Sequence, residues 1–369
     1  NASMGLDMMT SAMENLDLIS SHLSRIRNLA EQAANGTYGE DSLKAIQSEI
    51  DARKAEIERI VANTEYNGIQ FFGHETEPEV TIDESKRVIN QTTFTKGETY
   101  FVTNSDDLVK LQDLVNSGVD TTDVTFELTS DINMTGINFR GIGTGGGDMD
   151  NPDETKVFKG DFKGNNHVIS NLSINTTEDC AGLFGYVYGG SIDSVGLENC
   201  EVSGNWYVGG LAGRIDGGSI TNSYVTGSVE GQMNVGGLAG CVYNGSITNS
   251  YATGSVTGDK YVGGLVGDVQ SASITNSYAT GSVTGSVRVG GLVGVAYSTP
   301  TLNGYYDSQK TGQTVGVGTG GYTGTVTGVT TAELEELIKN GTLPQYNYLE
   351  GQDVNGMSDE VRSAIRNRR

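Results

Sequence analysis

Acid–base chemistry in this chain would have to come from few groups. Asp193, Arg214, Asp216 and Asp268 stand beside glycine-rich blocks in a stretch dominated by Ser, Thr, Asn and Gly. Carboxylates beside a cationic group are what a polysaccharide lyase or hydrolase needs on one face. Asp216 and Asp268 follow their glycine blocks in copies two apart, which brings them toward one side. The repeated positions around them supply no acid or base, so catalysis is the weaker reading and no catalytic residue is assigned. Tyr224, Tyr251 and Tyr278 occupy one position of successive copies. They form either a ligand-facing ladder on which sugars stack or a ladder that only stabilises a sheet, and the structural role is favoured. His22, His74 and His167 have no ligand spacing, and His74-Glu75 lacks the second histidine of HExxH. Asp148, Asp150 and Asp153 lie in a Gly/Asp-rich stretch, 143–153, with oxygen ligands suited to Ca²⁺. That stretch matches neither an EF-hand loop nor a repeated nonapeptide, so an acidic loop is expected, with no metal and no cofactor. Cys180, Cys200 and Cys241 share neither CxxC spacing nor a repeat position, which predicts free or buried thiols.

The element that must position these residues is a repeat. Gly-Gly-Leu-Ala-Gly begins at Gly209 and Gly236, and Gly-Gly-Leu-Val-Gly at Gly263 and Gly290, a period of 27 residues. Ser-Ile-Thr-Asn-Ser-Tyr recurs from Ser219, Ser246 and Ser273 on the same period. A fixed period of this length marks a solenoid. Short runs with β-branched residues and partial alternation, punctuated by glycine, predict two or three strands per turn. The expected fold is a parallel β-helix (β-solenoid) whose turns stack about 4.8 Å apart. Ile220, Ile247 and Ile274 would form one inward column, and Leu211, Leu238, Leu265 and Leu292 another. Asn222, Asn249 and Asn276 would form a ladder. An amphipathic helix over 105–116 is expected to cap one open end, and a short helix from Thr331 to Lys339 the other.

Residues 1–35 differ in kind. Met9, Ala12, Leu16, Ile19, Leu23, Ile26, Ala30 and Ala33 alternate steps of three and four, a heptad seam that Asn35-Gly36 ends. Leu43, Ile46, Ile50, Ile57 and Ile60 continue it, with Arg53 at one core step. Two seamed helices with a short connection predict an antiparallel or offset pair. The class is therefore α + β and multidomain: a helical hairpin or coiled-coil rod piece at 1–73, a connector at 74–98, the β-solenoid at 99–336, and a tail at 337–369 with a short helix at 359–366. The net charge of −23 disfavours nucleic acid and anionic membrane as partners. No run of apolar residues is long enough for a membrane-spanning helix, so no membrane insertion is expected. No cleavable signal peptide is visible.

The glycine blocks resemble the GLUG motif of bacterial surface proteins. A degenerate copy, Ala181-Gly182-Leu183-Phe184-Gly185 with Ser191-Ile192-Asp193, extends the likeness, which covers roughly 99–336. The run from Leu23 to Thr37, together with Ile46-Gln47-Ser48-Glu49-Ile50 and Asn63-Thr64-Glu65-Tyr66-Asn67-Gly68-Ile69, resembles the N-terminal rod segment of bacterial flagellin. That resemblance implies a structural subunit of an extracellular flagellar filament, exported without a cleaved signal, partnered by other flagellin subunits and carrying the solenoid as a surface insertion. It also implies contacts to a host Toll-like receptor at Arg25, Leu29, Gln32, Ile46 and Glu49. The alternatives are a cell-surface adhesin that binds glycans or host surface, and a β-helix carbohydrate-active enzyme. Against the family pattern, this stretch is expected to lack a preceding coiled segment and to have the pairing C-terminal helices missing or cut short. The chain by itself is therefore expected not to polymerise, with Met9, Leu16 and Leu23 exposed or paired in a dimer.

Overall fold

The computed structural model describes residues 18–29, 40–63, 65–66, 69–70, 82–145 and 153–345, in two units, Asn1–Thr81 and Ile82–Arg369. Met9, Leu16, Gln32, Asp148, Asp150 and the short helix expected over 359–366 lie outside the described residues. In the first unit a helix spans residues 18–29 (α1) and a second runs Glu40–Asn63 (α2). His22 meets Arg53, and Arg25 meets Glu49. Partner numbers fall along α2 as they rise along α1, so the two helices run antiparallel. Ile19, Leu29 and Ile60 are buried. Leu23, expected on the seam, is 44% exposed, and Leu18 is 50% exposed. The face that α1 turns to α2 runs through Ile19, His22, Arg25 and Leu29, which follows the 3.6-residue period and leaves Leu23 on the flank.

The second unit is a coil of chain in which successive turns hydrogen-bond to each other along parallel strands. One repeat uses four strands: Ser219–Thr221, Tyr224–Glu230, Met233–Gly236 and Ala239–Tyr243. The sequence suggested two or three. The extra strand is Met233–Gly236, which is too short to show alternation. Each strand pairs in parallel with its counterpart one turn on, so Ile220 pairs Ile247 and Ile247 pairs Ile274. Among the described residues nine strands stack in this first column, from Thr99–Val102 to Thr323–Val329, giving about eight turns. The first two strand positions belong to a 17-stranded sheet, the third to a four-stranded sheet and the fourth to a six-stranded sheet.

The glycines are fixed by close approach of backbone. A Cβ on Gly263 would strike the carbonyl oxygen of Val266, and one on Gly267 would strike the backbone of Asn234 and Val235. With no side chain in the way, the third and fourth strands fold tightly against each other around Leu265, which is fully buried, as are Leu211, Leu238 and Leu292. The corner after the first strand is left-handed at Asn222, Asn249 and Asn276, with φ of 50°, 49° and 49°, a conformation asparagine tolerates. Their amides form the expected ladder: Asn276 donates to Asn249 (2.7 Å), Asn249 to Asn222 (3.2 Å), and Asn222 to Asp193 (2.9 Å). Ser223, Ser250 and Ser277 are fully buried beside them. Each hydroxyl donates to the carbonyl two residues back and accepts an amide of the preceding turn, so no buried polar group in this column is orphaned.

The entry to the solenoid is covered by helix α3, Ser105–Asn116, whose amide at Asp107 is capped by the Asn104 side chain. Leu108, Leu111 and Val115 of α3 are fully buried in the main core. Residues 82–98, expected within a connector, already belong to this unit. Two short 3₁₀ turns, Glu84–Lys86 and Val88–Asn90, bury Val88 and bring Arg87 to Asp107. Asp107 has no exposed surface, and it accepts from Arg87, the Ile89 amide, and the Thr103 amide and hydroxyl. Burial pushes its carboxyl up, but the hydrogen bonds from Thr103, Ile89 and Arg87 outweigh that and hold it below the usual carboxylate range. A carboxyl with a depressed folded pKa contributes stability above its unfolded value and loses it as the pH falls through the folded one. Asp107→Ala strands Arg87 and three donors, so it should cost about 3 kcal/mol in urea denaturation at pH 7. The difference from the parent should shrink as the pH is lowered below about 4.

Candidate functional site

In the helical unit the sequence singled out five residues. Arg25 donates to Glu49 through both Nε (3.0 Å) and Nη2 (3.3 Å). Arg53 donates to the same carboxylate at 3.2 Å and lies 3.4 Å from His22 Nδ1. Hydrogen bonding by Arg25, then by Arg53, holds the Glu49 carboxyl below its ordinary value. Arg25 and Glu49 are 42% and 37% exposed, so the pair is solvated and acts as an orienting clamp across the hairpin more than as a source of stability. Leu29 is buried and Ile46 half-buried; Gln32 lies outside the described residues.

In the solenoid the Tyr224, Tyr251 and Tyr278 rings stack at 5.2 and 4.8 Å with an 11° tilt. They are 4%, 0% and 3% exposed. Leu334, on helix α4 (Thr331–Lys339), and Leu343 beyond it belong to the same buried cluster. Of the two roles open to this ladder, the structure shows packing, with α4 lying over the row instead of over the solenoid's end. Asp193 is engaged at the corner by Asn222, Thr221 and Ser194 and sits on a different sheet from Arg214. His167 lies 3.4 Å from Asp131. Asp153 accepts from the Thr155 amide and hydroxyl and pairs with Lys156 at 3.4 Å, so both of its oxygens are used inside the chain. Among the described residues no group of three or more His, Cys, Asp or Glu is arranged to hold a metal.

Two features do gather chemistry, both on the six-stranded sheet. The first is a buried polar seam. Register places Tyr186, Arg214, Cys241 and Asp268 in one column, although their repeat copies carry unrelated residue types. Arg214 lies over the Tyr186 ring at 5.1 Å and the Tyr207 ring at 5.9 Å, and reaches Asp216 at 3.4 Å. Cys241 and Asp268 are 3% and 5% exposed. Burial raises the Cys241 thiol well above its ordinary value, which keeps it protonated and unreactive. Burial likewise pushes the Asp268 carboxyl up to about 6, against the pull of Gln270 and Arg214. Gln270 donates to Asp268 Oδ2 at 2.9 Å, whereas Asp268 Oδ1, Asn234 Oδ1 and Arg214 Nε have no hydrogen-bond partner. The sequence brought Arg214, Asp216 and Asp268 forward as candidates, and the structure does collect them. Asp268 lies under cover, where a polymeric substrate has no access, while Arg214 and Asp216 are only partly buried at the margin of the seam.

The second feature is an outward row two residues further along each strand: Tyr188, Asp216, Tyr243, Gln270 and Tyr297, in unbroken register. Tyr188, Tyr243 and Tyr297 are 39%, 37% and 40% exposed. Sequence inspection on a 27-residue period passes over this row, because its tyrosines recur only in every second copy and Tyr188 lies in the degenerate one.

The molecule is thus a parallel β-solenoid of near-identical turns together with an antiparallel helical pair. Residues 1–76 match the bacterial flagellin N-terminal helical region, and 204–230, 231–257 and 258–284 match the GLUG motif. The phase 1 flagellin of Salmonella naestved and the flagellins of Salmonella budapest and Salmonella dublin are each 33% identical over 82 residues, 22% of this chain. The matched segment is 16% of each of those flagellins. Two solved structures are similar in fold. A candidate immunoglobulin A1 protease from Bacteroides ovatus has 25% identity over 59% of this chain and 69% of its own, with a TM-score of 0.48. A structure described as IgA1 protease has 21% identity over 66% of this chain and 18% of its own, with a TM-score of 0.43. At that level of overlap the two carry no argument about activity.

The seam yields a pH signature. Between about pH 4 and 6 the folded chain keeps a proton on Asp268 that the unfolded chain has lost, so stability falls as the pH rises through that window. Asp268→Asn should abolish this fall and raise stability at pH 7.5 by about 2–3 kcal/mol, with Asp216 still facing Arg214. Urea midpoints of the two proteins at pH 4.5 and 7.5 measure both effects.

Proposed function

We propose that this chain is the helical-segment and insertion part of a flagellin-type filament subunit, with α1 and α2 packing among neighbouring subunits and the solenoid displayed outside the cell. The observation that carries this reading is the match of residues 1–76 to the flagellin N-terminal helical region. Leu18 and Leu23, large apolar side chains left exposed on α1, support it, since such side chains are suited to burial against another chain. A structural, non-enzymatic role fits the repeated Ser, Thr and Asn positions and the covered Arg214–Asp268 seam. Recognition by a Toll-like receptor forms no part of this proposal: Arg25 and Glu49 are already paired and Leu29 is 2% exposed.

The test is to express the full-length native protein that carries this segment in a flagellated host lacking its own flagellin. Antibody against the solenoid should decorate filaments along their length in electron micrographs. Leu23→Asp should sharply lower filament yield while leaving secreted protein and helical content unchanged. Secretion of intact protein with no decorated filament would overturn the assignment.

A further inference from the structure

The row of Tyr188, Asp216, Tyr243, Gln270 and Tyr297 has an order that solenoid packing does not require. Tyrosine stands in every second turn and a hydrogen-bonding side chain in each turn between. With turns about 4.8 Å apart, the tyrosines recur at about 9.6 Å along the solenoid axis. Their ends are held. Arg288 donates to the Tyr297 hydroxyl (2.7 Å), and Lys159 lies 6.0 Å from the Tyr188 ring. Tyr243, in the middle, is 37% exposed. Space is open beside the row, because a Cβ on Gly189 or Gly217, the next residues after Tyr188 and Asp216, would meet nothing within 4 Å.

We infer that this row is a binding site for a linear, neutral polysaccharide of equatorially 1,4-linked hexopyranoses, lying along the solenoid axis. Such a chain is a flat ribbon in which alternate sugars turn the same face to one side. Its repeat is one disaccharide, which is the length two solenoid turns provide. Tyrosine offers a flat apolar face for the C–H side of a pyranose ring and keeps its hydroxyl in water. Asp216 and Gln270 stand in the turns between. Asp216 Oδ2 is taken by Arg214 and Tyr186, and Gln270 Nε2 by Asp268, so Asp216 Oδ1 and Gln270 Oε1 are the atoms offered to hydroxyls of the intervening sugars. A few placed polar groups fix orientation in such sites. Charge selects against acidic glycans: the chain carries −23 and the row itself carries Asp216. The site is distinct from the covered Tyr224–Tyr278 ladder and does not depend on the filament assignment; a chain that enters no filament would still bind.

The experiment is affinity electrophoresis of the full chain in gels containing glucomannan or hydroxyethylcellulose, compared with amylose and polygalacturonate. Retardation is expected with the first pair only. Tyr243→Ala should weaken binding about tenfold, the equivalent of about 1.4 kcal/mol. Tyr243→Phe should retain it, and the Tyr188→Ala/Tyr243→Ala/Tyr297→Ala variant should abolish it with an unchanged circular dichroism spectrum. Should that triple variant unfold, the Ala and Phe variants at Tyr243 decide the matter. The proposal is overturned if the parent chain is not retarded by either neutral β-linked glycan, if amylose or polygalacturonate retards it equally, or if Tyr243→Ala binds as tightly as the parent.

Discussion

The close approach of backbone at the glycine blocks is the constraint on which the solenoid depends. Gly263 and Gly267 sit where a Cβ would run into Val266 and Asn234, and Gly236 and Gly240 repeat the situation one turn earlier. A larger residue would force the third and fourth strands apart and change the length of that turn. Across the repeats at 219–290, equal turn length keeps each strand in register with its neighbour, and register turns single residues into columns. The Ile220–Ile247–Ile274 column, the serine column and the asparagine ladder are consequences of it. Each residue type chosen once is then packed against its own kind several times.

Columns make polar burial either cheap or costly. Ser223, Ser250 and Ser277 bury hydroxyls without loss, since each one's donor and acceptor needs are met by the chain itself and by the adjacent turn. The asparagine ladder works the same way, and Asp193 supplies its terminal acceptor. Where a column changes residue type from turn to turn, this mutual satisfaction fails. Arg214, Cys241 and Asp268 share a column and cannot pair as like with like, and the orphaned atoms of Arg214 and Asp268 lie there. The raised Asp268 carboxyl is the electrostatic consequence of that broken repetition.

What the sequence made legible follows the same division. Period, parallel stacking, the inward Ile and Leu columns and the asparagine ladder could all be read, because each is a regularity with one physical cause. Helix α3 was legible from its amphipathic spacing. The burial of Tyr224, Tyr251 and Tyr278 was not decided by their own periodicity, because their cover comes from Leu334 and Leu343, far along the chain. Spacing alone puts Leu23 on the seam, but the face of α1 that meets α2 is set by His22 and Arg25, whose partners Arg53 and Glu49 an apolar count does not register. Residues 82–98 carry no periodic pattern and so read as a connector, yet Arg87 and Val88 are tied to α3 by one ion pair and one buried side chain.

Function in such a molecule is to be sought where the repeat is broken. A position identical in every turn is explained by stacking with its neighbours and needs no other reason. A position that varies in every turn without order is explained by exposure. The row through Tyr188, Tyr243 and Tyr297 is neither: it is ordered, but on twice the period that packing imposes. Hydrogen bonding from turn to turn fixes the spacing of that row, and that spacing is what the inferred ligand has to match. The same backbone constraint that makes the turns interchangeable is what allows a side-chain pattern with a longer period to act as a ruler on the surface.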